Sequence, residues 1–274
     1  MVEHVAGIVP EVAFGAIETS FRAKRAAGRR LLVPFFTGGL DDNWLDAVRA
    51  AAACGADAIE IGIPFSDPVM DGPVIQEASQ RALARGATPL SVLSDVATVD
   101  IGVPLVAMTS YNIALHAGHH RFAQQLRDAG VSGAILPDLP LDEADDWIEV
   151  GESAGIETIL LAAPTTPDER LTRIASRSRG WVYGVGTLGV TGERATLAVT
   201  AGEIAVRLKM VTDRPVLVGV GVSNAEQAQQ VAAVCDGVIV GASVVRRLLE
   251  GEGADGVGRY IADLCAGLDT LVVS

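Results

Sequence analysis

The stretch "IEIGIPFSDPVMDGP" (residues 59–73) begins as an apolar strand and ends as a loop rich in Pro and Asp. Glu60 lies inside the apolar part, and Asp67 and Asp71 follow in the loop. Burying an unpaired carboxylate costs several kcal/mol of solvation or raises its pKa. Two carboxyls in unlike surroundings, one desolvated and one nearer solvent, are equipment for general acid–base catalysis. Asp71 comes eleven residues after Glu60, within reach of the same strand end. Pro64, Pro68 and Pro73 stiffen the connection. Asp67, directly before Pro68, reads equally well as a turn residue.

The elements that would hold these groups follow from apolar runs of strand length. Eight recur: "LLVPFF" (31–36), "AIEIGI" (58–63), "PLVAMT" (104–109), "GAILP" (133–137), "TILLA" (158–162), "WVYGV" (181–185), "PVLVGV" (215–220) and "GVIVG" (237–241). Amphipathic segments separate them. In "DDNWLDAVRAAAACG" (41–55), Trp44, Leu45, Val48, Ala51 and Ala52 fall at helical spacing. Asp142 is expected to open a helix that Gly155 ends, and Asn224 to cap another with Glu226 and Gln227 in its first turn. Eight strand–helix alternations predict an α/β fold, a parallel (β/α)8 TIM barrel. An extra helix over roughly 11–28 precedes the first strand, and 254–270 reads as a last covering helix. The alternative, an open doubly wound sheet, would usually carry GxGxxG after its first strand, and "FFTGGLDD" does not match. With no linker or low-complexity stretch, residues 1–274 read as a single barrel domain.

Strand parity then orients Glu60. Ile59, Ile61 and Ile63 suit the face covered by helices, so Ala58, Glu60 and Gly62 face the barrel interior. Glu60 is thereby expected near the C-terminal end of its strand, where barrel enzymes carry their chemistry. The alternative role is an ion-paired carboxyl inside the barrel. Gly62 is expected to leave room for a ligand.

Two late turns point to a phosphorylated small molecule. "GVGVSNAEQ" holds Gly219, Gly221 and Ser223, and "VIVGASVV" holds Gly241, Ala242 and Ser243. Both follow strands and open helices at the seventh and eighth units, where barrels often bind phosphate through backbone N–H groups. A third turn, "GVTGER" (189–194), is expected to form a mobile loop.

The bulk numbers bound the rest. The chain has 274 residues, 49 % of them hydrophobic, and a formal net charge of −13. The acidic balance, with a pI near 4.7, argues against a nucleic-acid partner, which selects for a basic surface. Cys54, Cys235 and Cys265 are widely spaced and suggest neither a disulfide framework nor a zinc site. No run approaches the ~20 apolar residues of a membrane span. The acidic first segment lacks the basic start of a signal peptide. A cytoplasmic enzyme is expected.

The motifs "IEIGIPFSDPVMDGPVIQEA", "ILPDLPLDEA", "APTTPDERLTRIA", "VYGVGTLGVTGER", "VGVGVSNAEQA" and "DGVIVGAS" closely resemble, in order, those of the tryptophan synthase α-subunit family. The resemblance spans about residues 15 to 265. It implies a (β/α)8 barrel that cleaves indole-3-glycerol phosphate by a retro-aldol step to indole and glyceraldehyde 3-phosphate. It implies no metal and no organic cofactor. It further implies a pyridoxal-phosphate β-subunit partner, in an αββα heterotetramer, that receives the indole. By this resemblance the acid/base glutamate falls on Glu60, the second catalytic carboxylate on Asp71 and the tyrosine near the indole on Tyr183. The mobile loop falls on Gly189, Val190, Thr191 and Gly192. The phosphate site falls on Gly192, Gly221, Gly241 and Ala242, with Ser243 and Ser110 beside the substrate.

Some positions depart from the family pattern. The usual Gly-Ser-Ala turn is Gly241-Ala242-Ser243, which moves a hydroxyl by one residue. An aromatic that lines the pocket is Ser110, and the serine usual after strand six is Gly186. Gly39-Leu40-Asp41 replaces Gly-Asp-Pro in a region the family uses near its partner. The departures admit a second reading, a stand-alone indole-releasing lyase. If the resemblance misleads, another phosphosugar-binding barrel enzyme remains. A Schiff-base aldolase is disfavoured, because Lys24 and Lys209 both lie in helix-like segments.

Overall fold

The structure is a computed structural model; it describes residues 14–68, 70–186, 194–219 and 221–271. Among the described residues the apolar runs form nine short parallel strands: β1 (Leu31–Thr37), β2 (Ile59–Gly62), β3 (Leu105–Met108), β4 (Gly133–Ile135), β5 (Glu157–Thr158), β6 (Leu160–Ala162), β7 (Val182–Val185), β8 (Val216–Gly219) and β9 (Gly237–Val240). Their order is β5-β4-β3-β2-β1-β9-β8-β7-β6. The two ends of that order are halves of one chain segment, so the sheet closes into a barrel at Ile159. The run expected as one strand over 158–162 is split because the Leu160 N–H donates to Ser178 Oγ at 3.0 Å. Ile159 still donates to the Ala134 carbonyl at 3.0 Å and holds the segment to β4.

Side chains alternate as parity predicts. Ile59, Ile61 and Ile63 pack in the outer layer between strands and helices. Ala58 joins Val33, Val106, Ile135, Leu217 and Ile239 in the lumen. The first helix, Ala16–Ala26, closes one end of the barrel with Ile17 and Phe21. The Phe21 ring stacks on Trp181, with centroids 5.5 Å apart. This plug is held by Glu157, whose two carboxylate oxygens accept the Ile17 and Glu18 N–H groups at 2.7 and 3.0 Å. A carboxylate there satisfies donors that a helix N-terminus leaves open.

Several local expectations hold and some change. Asn224 accepts the Gln227 N–H at 2.9 Å and caps Ala225–Ala232. The last helix runs Gly253–Leu268. Asp142 does not open a helix; it lies in the 3-10 turn Leu141–Glu143, and the helix proper is Asp145–Ala154. Its carboxylate is instead shared by Arg170 and Arg173 at 2.7 and 2.8 Å. Leu40 is buried in the outer core, so its hydrophobic character serves packing. Asp41 accepts the Asn43 N–H at 2.8 Å and shapes the following turn. All three cysteines are free thiols. Among the described residues, no helix is long and apolar enough to cross a membrane, and no group of three or more His, Cys, Asp or Glu could hold a metal.

Candidate active site

The C-terminal ends of the strands surround a cavity of about 270 Å³. Glu60, from β2, forms part of its wall and is 1 % exposed. Its Oε1 has no hydrogen-bond partner among the described residues. Burial raises its pKa from 4.5 to about 8, so the free protein holds Glu60 mainly as the neutral acid at pH 7. Asp71 meets the same cavity from the loop after β2, and burial raises its pKa too. Asp67 is exposed, bonded to Ser66 Oγ at 2.6 Å, and lies outside the cavity wall. It is a turn residue.

Tyr183, on the lumenal side of β7, faces the cavity from across the barrel. Burial, and secondarily the charge on Glu60, push its pKa well above 10. Its hydroxyl needs the glycine on the next strand: a Cβ on Gly219 would lie 2.5 Å from Tyr183 Oη. Gly62 plays a similar packing role, because a Cβ there would meet the Phe35 ring at 2.3 Å. Gly62 does border open space, as part of the wall of a side cavity, with the Phe35 ring packed against it.

Gly221, Gly241 and Ala242 lie together at the rim. Gly221 has φ +71, which non-glycine residues rarely adopt. Gly241 precedes the helix Ala242–Leu249, so the first N–H groups of that helix open beside the cavity. Ser243 reaches this turn but not the cavity wall: its hydroxyl donates to the Val222 carbonyl at 2.9 Å. Ser110 lies in a side cavity of about 50 Å³ that shares Phe35, Met70 and Asp71 with the main one. Its hydroxyl donates to Asp138 at 2.6 Å, and the same carboxylate accepts the Tyr111 N–H at 2.7 Å. Gly189, Val190, Thr191 and Gly192 lie outside the described residues.

Phe35, Met108 and Leu161 line the cavity and were not among the candidates. The parity that oriented Glu60 would have found Phe35, two residues beyond Val33 in the same lumenal register. The Ser110–Asp138 bond joins loops 28 residues apart and has no local sequence signal. Both lysines lie at the opposite barrel end, where Lys24 pairs with Asp57 at 2.9 Å and Lys209 with Asp236 at 2.8 Å. Neither can form a Schiff base in this cavity.

An unpartnered acid in a parallel barrel, facing a second carboxyl and a backbone-lined rim, defines a barrel enzyme equipped for acid–base chemistry on a small molecule. The sequence profile of the family described as "Tryptophan synthase alpha chain" matches residues 21–264. The tryptophan synthase alpha chain of a Picosynechococcus strain is 42 % identical over 258 residues, covering 92 % of this chain and 97 % of the relative. That of Thermobifida fusca is 43 % identical over 250 residues, covering 89 % and 93 %. A tryptophan synthase structure from Mycobacterium tuberculosis superposes with a TM-score of 0.87 at 38 % identity, covering 93 % of this chain and 99 % of that one. The tryptophan synthase subunit alpha of Legionella pneumophila gives 0.84 at 32 %, covering 94 % and 100 %. The chain belongs to the tryptophan synthase alpha chain family, and with it to the carbon–carbon lyases.

Proposed function

We propose that this chain performs the family's cleavage of indole-3-glycerol phosphate to indole and glyceraldehyde 3-phosphate with Glu60 as its proton donor. The C3–C3′ bond breaks, a proton is delivered to C3 of indole, and the 3′-hydroxyl loses its proton as the aldehyde forms. Protons and electrons balance without a cofactor. The observation that carries this reading is the buried, unpartnered Oε1 of Glu60 at the cavity wall. An acid with a pKa of about 8 is protonated when the substrate arrives and is close enough to neutrality to return the proton.

Asp71, nearer solvent, is assigned to the indole N–H, which it polarises as a carboxylate. Tyr183 lies against the indole. The phosphate rests on backbone donors of Gly221, Gly241 and Ala242; Thr191 and Gly192, assigned to the substrate by the family resemblance, lie outside the described residues. Loss of the usual serine at Ala242 leaves those backbone donors intact. The whole chain acts as one domain, in the cytoplasm, paired with a β-subunit in an αββα assembly.

The test is indole release from indole-3-glycerol phosphate by the wild type and Glu60→Gln, each with and without a β-subunit from the same source. The variant should lose roughly 10²- to 10⁴-fold in turnover, the span typical of an acid–base group. Wild-type turnover in the variant would remove Glu60 from the chemistry. Stimulation of the wild type by the β-subunit is expected, and its absence would favour a chain that releases indole alone.

A further inference from the structure

The rim of the cavity is made by two turns from different strands. One carries Gly221 and Val222 after β8, and the other carries Gly241, Ala242 and Ser243 after β9. Backbone donors hold an anion well only if they converge on it, so the relative placement of the turns matters. Among the described residues the parallel ladder pairs Val218 with Val238 and Gly219 with Ile239 and ends there, so the ladder does not by itself fix that placement.

Side chains bridge the gap. Tyr260 Oη, on the last helix, donates to Ser243 Oγ at 2.8 Å. Ser243 Oγ in turn donates to the Val222 carbonyl at 2.9 Å. Arg247 completes the arrangement: its guanidinium lies over the Tyr260 ring, 3.7 Å from the centroid, and donates to the Ser243 carbonyl at 2.8 Å. Tyr260 is buried beneath the two turns and does not line the cavity. Ser223 is turned away from the rim as well, with its N–H and hydroxyl both on Gln227 Oε1 at 2.9 Å.

We infer that Tyr260, acting through Ser243, is a positioning residue that sets the spacing of the two turns and so tunes phosphate affinity. The inference rests on the phosphate site proposed above. It also gives a role to the serine that stands one place later than the family pattern: its hydroxyl ties the turns together from behind. Chain-wide stability does not require this bridge, since Tyr260 keeps its ring packing and its Arg247 contact when only the hydroxyl is removed.

The experiment compares wild type, Tyr260→Phe, Ser243→Ala and the double variant. It measures KM and kcat for indole-3-glycerol phosphate and competitive inhibition by glycerol 3-phosphate. Ser243→Ala should raise KM and the inhibition constant by about three- to tenfold, the equivalent of one hydrogen bond, and Tyr260→Phe by a smaller factor in the same direction, with kcat within about twofold in both. Ser243→Ala removes the bond between the turns outright, whereas Tyr260→Phe leaves Ser243 bonded to Val222, so the double variant should match Ser243→Ala. Equal losses in kcat and no change in either constant would overturn the inference, as would multiplying effects in the double variant. Failure of glycerol 3-phosphate to compete in the wild type would instead refute the phosphate site itself. If Tyr260→Phe folds poorly, Ser243→Ala alone carries the same comparison.

Discussion

Replacing Glu60 by Gln should stabilise the protein in a pH-dependent way, and the sign follows from its surroundings. The folded chain raises the pKa of Glu60 from 4.5 to about 8. Between those values the folded state keeps a proton that the unfolded state has released. The folded state is therefore favoured fully below about pH 4.5 and loses that advantage as pH rises through about 8. Each unit of displacement is worth about 1.36 kcal/mol, so the whole window amounts to roughly 5 kcal/mol. Gln does not titrate. The stability of Glu60→Gln minus that of wild type should be small near pH 5 and grow by roughly 3 to 5 kcal/mol towards pH 8. Urea unfolding of both proteins at several pH values reads this directly, since every other titrating group is common to both and cancels in the difference. Parallel stability curves would show that Glu60 is not desolvated in the folded protein, and the argument for it as a neutral acid would fall.

Asp71→Asn should lose most of the turnover while glycerol 3-phosphate still binds within about threefold of wild type, measured by calorimetry. Equal weakening of binding and turnover would make Asp71 a binding residue. Gly219→Ala places a Cβ 2.5 Å from Tyr183 Oη; it should cost about 1–3 kcal/mol in urea and lower indole release by displacing the ring. Unchanged stability would show that Tyr183 relaxes freely. Asp57→Ala strands the Leu32 N–H, bonded at 2.8 Å, together with Lys24. It should cost about 3 kcal/mol or more while KM of the remaining folded enzyme stays at the wild-type value. A raised KM would mean that the two barrel ends are coupled.

The barrel was legible because its signals are local. β-branched runs alternate with amphipathic segments, and period-two parity oriented Ala58, Glu60 and the isoleucines correctly. The N-cap at Asn224 is a four-residue pattern and was found for the same reason. What failed depends on partners distant in the chain. Asp142 carries the chemistry of a helix cap, yet Arg170 and Arg173 engage it, and nothing within its own segment announces them. Gly62 borders a side cavity as its size suggested, but sequence does not reveal that the Phe35 ring on the neighbouring strand packs against it. The split at Ile159 depends on Ser178, 18 residues beyond Leu160.

Buried acids by themselves would not have marked the site. Glu18, Asp57, Glu157 and Asp236 are as enclosed as Glu60 or nearly so. Each has partners. Asp57 and Asp236 precede β2 and β9, and each accepts the N–H of a residue in the adjacent strand, Leu32 and Val216, at 2.8 Å. Lys24 and Lys209 neutralise them. Glu157 receives two N–H groups of the plug helix, and Glu18 faces Arg22 and Arg214. These acids cluster where the strands begin, and their pairing holds that end together. Glu60 sits towards the other end with an unpartnered oxygen and a pKa near 8. A group whose oxygens already hold partners has little freedom to engage a ligand. An unpaired one keeps that freedom at a cost in stability. That the unpaired acid lies at the C-terminal end of a strand, where a parallel barrel opens its cavity, makes the same physics that destabilises Glu60 the reason to assign it the chemistry.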